Sequence, residues 1–484
     1  MTNLSSLKHS FRWELMGYGL YRVWILQHLM YARYVAEPAG ITLLILYGAL
    51  ALAGFLSIVI WKHIRTIEQA EFARGITLFA CLLGSFCAVL GMLLDQRVYS
   101  VLGMIFVGLG GGYIEVRWCS YFSGLDKNGV YCNILLSILI TSICGLVMNM
   151  FIPAEAFFFE TTLLFLGNAA LFFTAQKRIG CFDIERLSLP AEVGQPQRQS
   201  TAGVHPIPGI LGRIVLTCVL YDIVHISATT IGYVTSPEFA GYDIRHAANL
   251  VAVIALLLIF LTRGSVSTIG LCKTILPITA AGLFMQLISI DQLGRIAFFT
   301  LCFGNKLFEI MMLILVVELA SSLLLSPSLG FGALVAAKNG GALIGTILSS
   351  TALAWIDSNG HDITMLIATL VMLLIVTLLW VFSGKTFFEP LRDTMSVKPQ
   401  PKAEPLTITA VSSQLAQTYS LTERETAVLL LLARGKNKSA IAEELTVSQS
   451  TAHTHIIHVY RKLGVHDQQE LIKLVEQTQA QAGC

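Results

Sequence analysis

The sequence predicts an all-α protein in which a polytopic membrane helix bundle precedes a small C-terminal domain of four helices. Two observations support this. Hydrophobic residues make up 55% of the 484 residues and charged residues only 13%, whereas soluble chains average about 25% charged residues. Long apolar runs also dominate up to about Phe388, after which the composition is that of a soluble protein. The mean hydropathy of +0.70 agrees.

Apolar runs long enough to cross a bilayer core, roughly 20 residues each, recur through the first part of the chain. Eleven of them are clear candidates for membrane spans: 39–61, 75–94, 98–116, 130–152, 156–175, 210–235, 244–262, 266–290, 294–323, 329–355 and 362–383. Segment 14–36 is aromatic-rich but contains Arg22, His28 and Arg33. Hydropathy alone predicts an interfacial amphipathic helix there.

The distribution of Lys and Arg favours a twelfth span at 14–36. Basic residues gather in 61–74, 117–129, 176–209, 263–265 and the segment after 384, while the opposite connections contain only Arg97, Arg245 and Arg295. Cytoplasmic loops are enriched in Lys and Arg. This asymmetry predicts a multi-pass protein of the cell membrane, with both termini in the cytoplasm if 14–36 crosses.

An internal repeat favours the same count. "LLDQRVYSVLGMIFVGLGGG" from Leu93 resembles "SIDQLGRIAFFTLCFGNKLF" from Ser289, and each Asp-Gln then follows the third span of a six-span half. The predicted organisation is a cytoplasmic N-terminus, a first half, a cytoplasmic linker, a second half, a flexible tether and a soluble domain, at 1–13, 14–175, 176–209, 210–383, 384–420 and 421–478.

Six plus six spans with a long middle loop resemble the major facilitator superfamily, whose halves are parallel repeats. The resemblance implies that spans 1, 4, 7 and 10 line a central cavity. The loop between spans two and three, "WKHIRTIEQAEFARG", departs from the signature loop of transporters in that superfamily, as does its counterpart "TRGSVST". This departure favours a transporter-like fold without a transport cycle.

Ionisable residues inside spans are candidates for a functional site because their burial in hydrocarbon costs free energy. The candidates for ligand sensing are Arg22, Asp222, His225, Lys306, Glu309 and Lys338, with Gly340 and Gly341 allowing close approach. A structural alternative is open for some: Lys306 and Glu309, three residues apart, can neutralise each other. Glu115, Glu160 and Glu318 lie towards predicted span ends, within reach of water.

The C-terminal segment contains helix boundaries at regular intervals. Thr422 with Glu425 forms a capping-box pattern, and Gly435 is placed to end that helix. A short helix with Ile441 and Leu445 follows, then a longer helix from Ser448 to Leu463, and a last helix opening at Asp467. A short helix, a tight turn and a longer helix are typical of helix-turn-helix domains, although a small bundle that binds protein is the alternative.

The segment from Leu421 to Val465, "LTERETAVLLLLARGKNKSAIAEELTVSQSTAHTHIIHVYRKLGV", closely resembles the LuxR-type DNA-binding domain. The resemblance implies binding of double-stranded DNA as a homodimer, with the last helix as dimer surface. The candidate DNA-binding residues are Lys438, Ser448, Ser450, Thr451, His453, Thr454, Ile457, Arg461 and Lys462. His453 and Ile457 depart from the residues usual in the family, so the base preference is not inherited. The domain is close to neutral, which predicts weak binding by one copy.

The leading functional hypothesis is a one-component transcription regulator in which a small molecule, sensed by the bundle, controls DNA binding by the tail. A secondary transporter with an autoregulatory tail and a constitutive membrane-tethered DNA binder are the alternatives. An enzyme is not expected, because no nucleophile motif or phosphate loop is present. Neither a cofactor nor a metal is expected, because the ten cysteines are scattered without a CxxC.

Overall fold

The computed structural model describes residues 10–34, 39–61, 67–151, 157–179, 207–235, 242–263, 268–288, 292–321, 326–359, 366–374, 411–412, 415–416, 419 and 421–482. The chain divides into two compact units, Met1–Met395 and Ser396–Cys484. Most of the predicted linker 176–209 and most of the predicted tether 384–420 lie outside the described residues.

The first unit is built from helices, as the sequence predicts. A 3₁₀ turn at Trp13–Leu15 precedes α1 (Met16–Tyr34), α2 (Ala39–Trp61), α3 (Ile67–Leu93), α4 (Arg97–Phe122), α5 (Lys127–Phe151), α6 (Phe157–Ile179), α7 (Ile207–Thr235), α8 (Tyr242–Arg263), α9 (Thr268–Ile288), α10 (Gln292–Ser321) and α11 (Pro327–Asn359). Residues 366–374, inside the predicted span 362–383, are also helical.

Among the described residues, eight of these helices are long and apolar enough to cross a membrane: α2, α3, α4, α5, α7, α8, α10 and α11. The chain is therefore a multi-pass membrane protein. The predicted number of twelve spans exceeds this set and stays a prediction.

Helix α1 lies inside the bundle despite its polar residues. It packs on α5 and α6, and Tyr18, Tyr21, Trp24 and Tyr31 are each at most 3% exposed. An interfacial helix would keep one polar face in water. The burial of α1 therefore supports the twelfth predicted span rather than the interfacial alternative.

The packing reproduces the predicted internal repeat. Helix α3 packs on α4 as α9 packs on α10, and α2 packs on α4 as α8 packs on α10. The two halves meet through α2 with α11 and through α5 with α8, which are equivalent pairs under a shift of six helices. Of the two Asp-Gln pairs, Gln96 is the N-cap of α4 and Gln292 begins α10. Asp291 lies outside the described residues.

The second unit contains α12 (Glu423–Ala433), α13 (Lys438–Glu444), α14 (Gln449–Leu463) and α15 (Gln468–Ala482). Its core joins apolar residues of all four helices, including Leu429, Ile441 and Val459. Val411 and Leu415 are buried in the same core. This core thus begins upstream of residue 421, where the predicted tether ends, because these two side chains cover apolar surface on the helices.

The helix boundaries in this unit follow the caps expected from the sequence. Thr422 and Glu425 form a complete capping box, and the Ser448 hydroxyl accepts from the backbone N–H of Thr451 at 3.1 Å. Gly464 closes α14 in the left-handed conformation at φ 69°, which favours glycine. Helix α15 runs to Ala482, four residues beyond 478, where the predicted domain ends.

Candidate ligand cavity and DNA-binding surface

Glu309 of α10 is the centre of a mostly buried charge cluster. Its carboxylate accepts from Nζ of Lys306 at 2.5 Å and from Nζ of Lys338 on α11 at 2.5 Å. It also accepts from the Arg22 guanidinium of α1. The predicted pairing of Lys306 with Glu309 is therefore present, but it is one of three ion pairs on the same carboxylate.

Glu115 of α4 completes the cluster, and its predicted access to water is wrong. The sequence placed it at the end of span 98–116, yet α4 continues to Phe122 and Glu115 is buried. It accepts from Arg22 Nη1 at 2.8 Å, and Lys338 Nζ lies 3.9 Å away. The sequence contained a signal for this role that was not used. Glu115 lies on the fourth span, and spans 1, 4, 7 and 10 were expected to line the cavity.

Asp222 and His225 of α7 lie beside this cluster. Both are buried, at 7% and 1% exposure, and both line the same cavity as the cluster. In the part of the chain that the structure describes, no ion pair or hydrogen bond is formed by the Asp222 carboxylate. All six residues expected to sense a ligand are thus brought together from α1, α7, α10 and α11.

The cluster separates two chambers. We call the first the polar chamber; besides the six predicted residues it is lined by Glu115, Arg245, Asn249, Asn305 and Asn339, with Ile25, Leu26, Leu29, Tyr47, Leu50, Ile226, Cys302 and Ala342. The second, the apolar chamber, is lined on its far side by Tyr18, Cys119, Ile138, Thr141, Cys218, Phe308, Met312, Leu313, Phe331, Leu334 and Val335. A ligand in either chamber would touch the charged residues between them.

The chambers lie towards opposite ends of the bundle. The polar chamber takes residues from the second half of α1, from the start of α8 and, in the middle of α10, from Cys302 to Glu309. The apolar chamber takes residues from the start of α1, the end of α4 and the later part of α10. The second end is the one at which α4 connects to α5.

Contacts between the halves close the bundle at the α4–α5 end. Tyr131 of α5 donates to Glu318 of α10 at 2.9 Å, and Lys127 Nζ lies 4.0 Å from the same carboxylate. Ser321 Oγ donates to the backbone oxygen of Ser123 at 3.2 Å. Glu318, which was expected within reach of water near its span end, has a side chain that is 17% exposed, and it also joins the two halves.

The two adjacent glycines of α11 have different surroundings. A Cβ on Gly341 would lie 2.7 Å from the backbone oxygen of Val219 and 3.0 Å from Cβ of Asp222. A Cβ on Gly340 would meet no atom within 4 Å. Gly341 therefore allows α7 and α11 to approach closely, which places Asp222 of α7 against α11.

In the second unit, the candidate DNA-binding residues are all exposed. Ser450, His453, Thr454, Ile457 and Arg461 recur three or four residues apart and so share one face of α14. The opposite face carries the buried residues Ala452, Ile456, Val459 and Leu463. Lys438 lies at the start of α13, and Ser448 is the N-cap of α14.

Lys462 has a partner inside the domain. Its Nζ donates to Glu425 at 2.7 Å, and Glu425 also accepts from the backbone N–H of Thr422 at 2.8 Å. These hydrogen bonds, with that from Lys462 first, lower the pKa of Glu425 to about 2. Lys462 thus ties α14 to the start of α12, and its role at a phosphate stays a prediction.

The comparisons with known proteins match the two parts separately. Residues 419–475 match the family model "Bacterial regulatory proteins, luxR family". The chain is 41% identical over 63 residues to the uncharacterized response regulatory protein YgeK of Escherichia coli, which is 13% of this chain and 43% of that protein. It is 42% identical over 64 residues to the HTH-type transcriptional regulator MalT of Serratia proteamaculans, 13% of this chain and 7% of MalT. The chain thus spans less than half the length of these relatives.

Solved structures match the bundle. The human organic anion transporter MFSD10 aligns with a TM-score of 0.53 and 10% identity, covering 76% of this chain and 98% of that chain. At this identity the likeness shows the fold alone, and it confirms the predicted transporter-type fold. The chain therefore joins a membrane bundle with a fold like that of the transporter MFSD10 to a C-terminal LuxR-type helix-turn-helix DNA-binding domain at residues 419–475.

Proposed function

We propose that the chain is a one-component transcription regulator embedded in the cell membrane. A small molecule binds among the charged residues of the bundle, and the binding controls the pairing or availability of the DNA-binding domains. The observation that carries the proposal is that a mostly buried cluster of ion pairs lines a cavity on the same chain as a LuxR-type domain. A transporter-like bundle alone would account for the cavity but not for DNA binding, and a LuxR-type domain alone would account for DNA binding but not for the cavity.

The proposed topology places both termini in the cytoplasm. It rests on the enrichment of Lys and Arg in alternate connections, and it puts the DNA-binding domain in the compartment of the chromosome. Two copies binding one DNA site, with α15 as the contact between them, would compensate for the near-neutral charge of one domain. Both features support control of transcription.

The cavity is the proposed sensor because its charges link helices of both halves. Arg22 and Glu115 belong to the first half, while Asp222, Lys306, Glu309 and Lys338 belong to the second. A ligand that pairs better with one arrangement of these charges than with another shifts the equilibrium between them, by as much as its affinity differs. The halves then move relative to each other.

A transcription reporter tests this function. Cells expressing the full-length protein are screened against a small-molecule library, with the double variant Thr451→Ala, Arg461→Ala as the DNA-binding control. Asp222→Asn is expected to shift the dose-response curve of an inducing molecule at unchanged membrane levels. Asp357→Asn, an exposed residue near the end of α11, is the matched control and should leave the curve in place. An unchanged curve for Asp222→Asn removes this cavity from the proposal.

A secondary transporter with an autoregulatory tail is the alternative function. It predicts uptake of the same molecule into vesicles by protein truncated after residue 395. Uptake at a rate above that of empty vesicles would favour the transporter, and its absence together with a reporter response would favour the regulator.

A further inference from the structure

We infer that Ile457, together with the methyl group of Thr454, contacts the 5-methyl group of a thymine in the major groove and so makes the chain prefer DNA sites with thymine at that position. The inference rests on the proposed function, in which the second unit binds double-stranded DNA. It assigns one part of the base preference to residues of α14.

Ile457 is an apolar side chain in the middle of a polar surface. It is 41% exposed and lies on the face of α14 that points away from the domain core. His453 and Arg461, four residues before and four after it, are exposed on the same face. In the part of the second unit that the structure describes, Ile457 and Tyr419 are the exposed large hydrophobic side chains. Burial of Ile457 against another apolar group would therefore lower the free energy of a complex.

Thr454 extends this apolar surface. Its hydroxyl donates to the backbone oxygen of Ser450 at 3.0 Å, which uses the single proton that a hydroxyl can donate. The side chain is left to present its methyl group. Residues 454 and 457 are three apart and are therefore neighbours on the helix surface. We call Thr454 and Ile457 the apolar pair.

The charge of α14 favours DNA as the occupant of this surface. The helix contains no acidic residue, and its last turn carries Arg461 and Lys462. Lys438, at the start of α13, is a further exposed cation. The phosphates of a duplex can thus approach α14 without repulsion from a carboxylate of that helix, and exposed cations attract them.

Thymine is the base that fits the apolar pair. The second helix of a helix-turn-helix lies in the major groove with side chains against base edges. Thymine is the base that offers a methyl group there, while cytosine offers an amino donor and the purines offer polar edges. A polar base edge covered by Ile457 would lose water without gaining a partner, which costs free energy. The apolar pair therefore favours thymine over the other three bases.

The test uses purified full-length protein in lipid nanodiscs. Duplexes are selected from a random library by their binding to the wild type, and each thymine of an enriched duplex is then replaced singly by deoxyuridine. This replacement removes the methyl group and keeps the base pair. At one or more positions it should weaken binding about fourfold in fluorescence anisotropy, because burial of one such group contributes about 0.8 kcal/mol.

Three variants show whether Ile457 is the residue that contacts the methyl group. Ile457→Ser should bind the thymine and deoxyuridine duplexes equally, while Ile457→Val keeps a branched apolar side chain and should keep most of the difference. Tyr419→Ser removes the other exposed apolar side chain and should keep all of it. The ratio of two affinities measured on one preparation does not depend on the fraction of folded protein, so a folding defect cannot imitate this result.

Failure of this inference differs from failure of the proposed function. Enriched duplexes in which no thymine is sensitive to loss of its methyl group would overturn the inference and leave DNA binding in place. A methyl effect of equal size in the wild type and Ile457→Ser would also overturn it, because the effect would then come from the deformability of the DNA. If the wild type enriches no duplex, the proposed function falls and this inference falls with it.

Discussion

Tyr131 of α5 and Glu318 of α10 join the two halves of the bundle through a hydrogen bond of 2.9 Å at the end where α4 connects to α5. The carboxylate is mostly buried and has Lys127 at 4.0 Å. Since the apolar chamber lies towards this end, the bond stabilises the arrangement of the halves in which that chamber is closed at this end.

Tyr131→Phe should favour the arrangement in which this end is open. Loss of a hydrogen bond to a charged group costs about 1–3 kcal/mol, so the rate at which a maleimide labels Cys119 and Cys218 of the apolar chamber should rise by about fivefold or more. Labelling is measured by mass spectrometry on membranes. Tyr99→Phe, which removes a hydroxyl from a more exposed position, is the control; equal rates for the two variants would contradict a closing role.

Gly341→Ala and Gly340→Ala form a matched pair that tests the contact between α7 and α11. The new Cβ at residue 341 would overlap the backbone oxygen of Val219, so the helices must separate, at a cost of about 1–3 kcal/mol. At residue 340 the Cβ meets open space, and the better helix propensity of alanine gives a change of at most about 1 kcal/mol in the opposite direction. The unfolding midpoints of the purified proteins should therefore move apart; if they coincide, the close packing is absent.

Glu425→Gln should remove an acid-sensitive contribution to the stability of the second unit. The pKa of Glu425 is lowered to about 2, so the ionised carboxylate stabilises the folded state above its unfolded pKa of about 4.3. This contribution is lost as the pH falls towards 2. We expect the variant to lose about 1–2 kcal/mol at pH 7, since Lys462 is partly exposed, and nothing near pH 2.

Urea unfolding of residues 396–484 between pH 7 and pH 2 measures this difference, because the core of this unit is built from its own residues. Glu443→Gln changes an exposed carboxylate on α13 and should leave the stability within about 0.5 kcal/mol at every pH. A constant gap between Glu425→Gln and the wild type across the range would rule out the ion pair as its cause.

Arg461→Ala should weaken binding to any DNA duplex, whatever its sequence. Arg461 lies on the exposed face of α14, and each phosphate contact contributes about 0.9 to the slope of log affinity against log salt concentration. Fluorescence anisotropy with an arbitrary duplex at several salt concentrations should show a slope smaller by about 1 for each copy bound. Lys473→Ala, which removes an exposed cation from α15, should leave the slope unchanged if α14 faces the phosphates.

The DNA-binding domain was predictable from the sequence almost residue by residue, because its caps are local. Thr422, Ser448 and Gly464 each act on a backbone group within a few residues, and such contacts are visible in a sequence pattern. The start of the core at Val411 was not predictable. Val411 becomes buried only when the chain before residue 421 packs on the helices, and no local pattern indicates that contact.

The charge cluster was predictable in its members but not in its connections. Hydropathy identifies residues that are costly inside a span, and the repeat assigns them to helices. Arg22 and Glu115 are 93 residues apart, however, and no local pattern indicates that they pair. The apolar run that predicts a span also ends before the helix does, which is why Glu115 was placed at an end of α4.

The convergence of three cations on Glu309 has a consequence for redesigning the chain as a biosensor. Any single substitution among Arg22, Lys306, Glu309 and Lys338 removes a partner from the other charges of this network, so affinity and folding would change together. Asn249 and Asn305 line the same chamber outside this network of ion pairs. Libraries aimed at a new analyte should randomise these two positions first and leave the salt bridges in place.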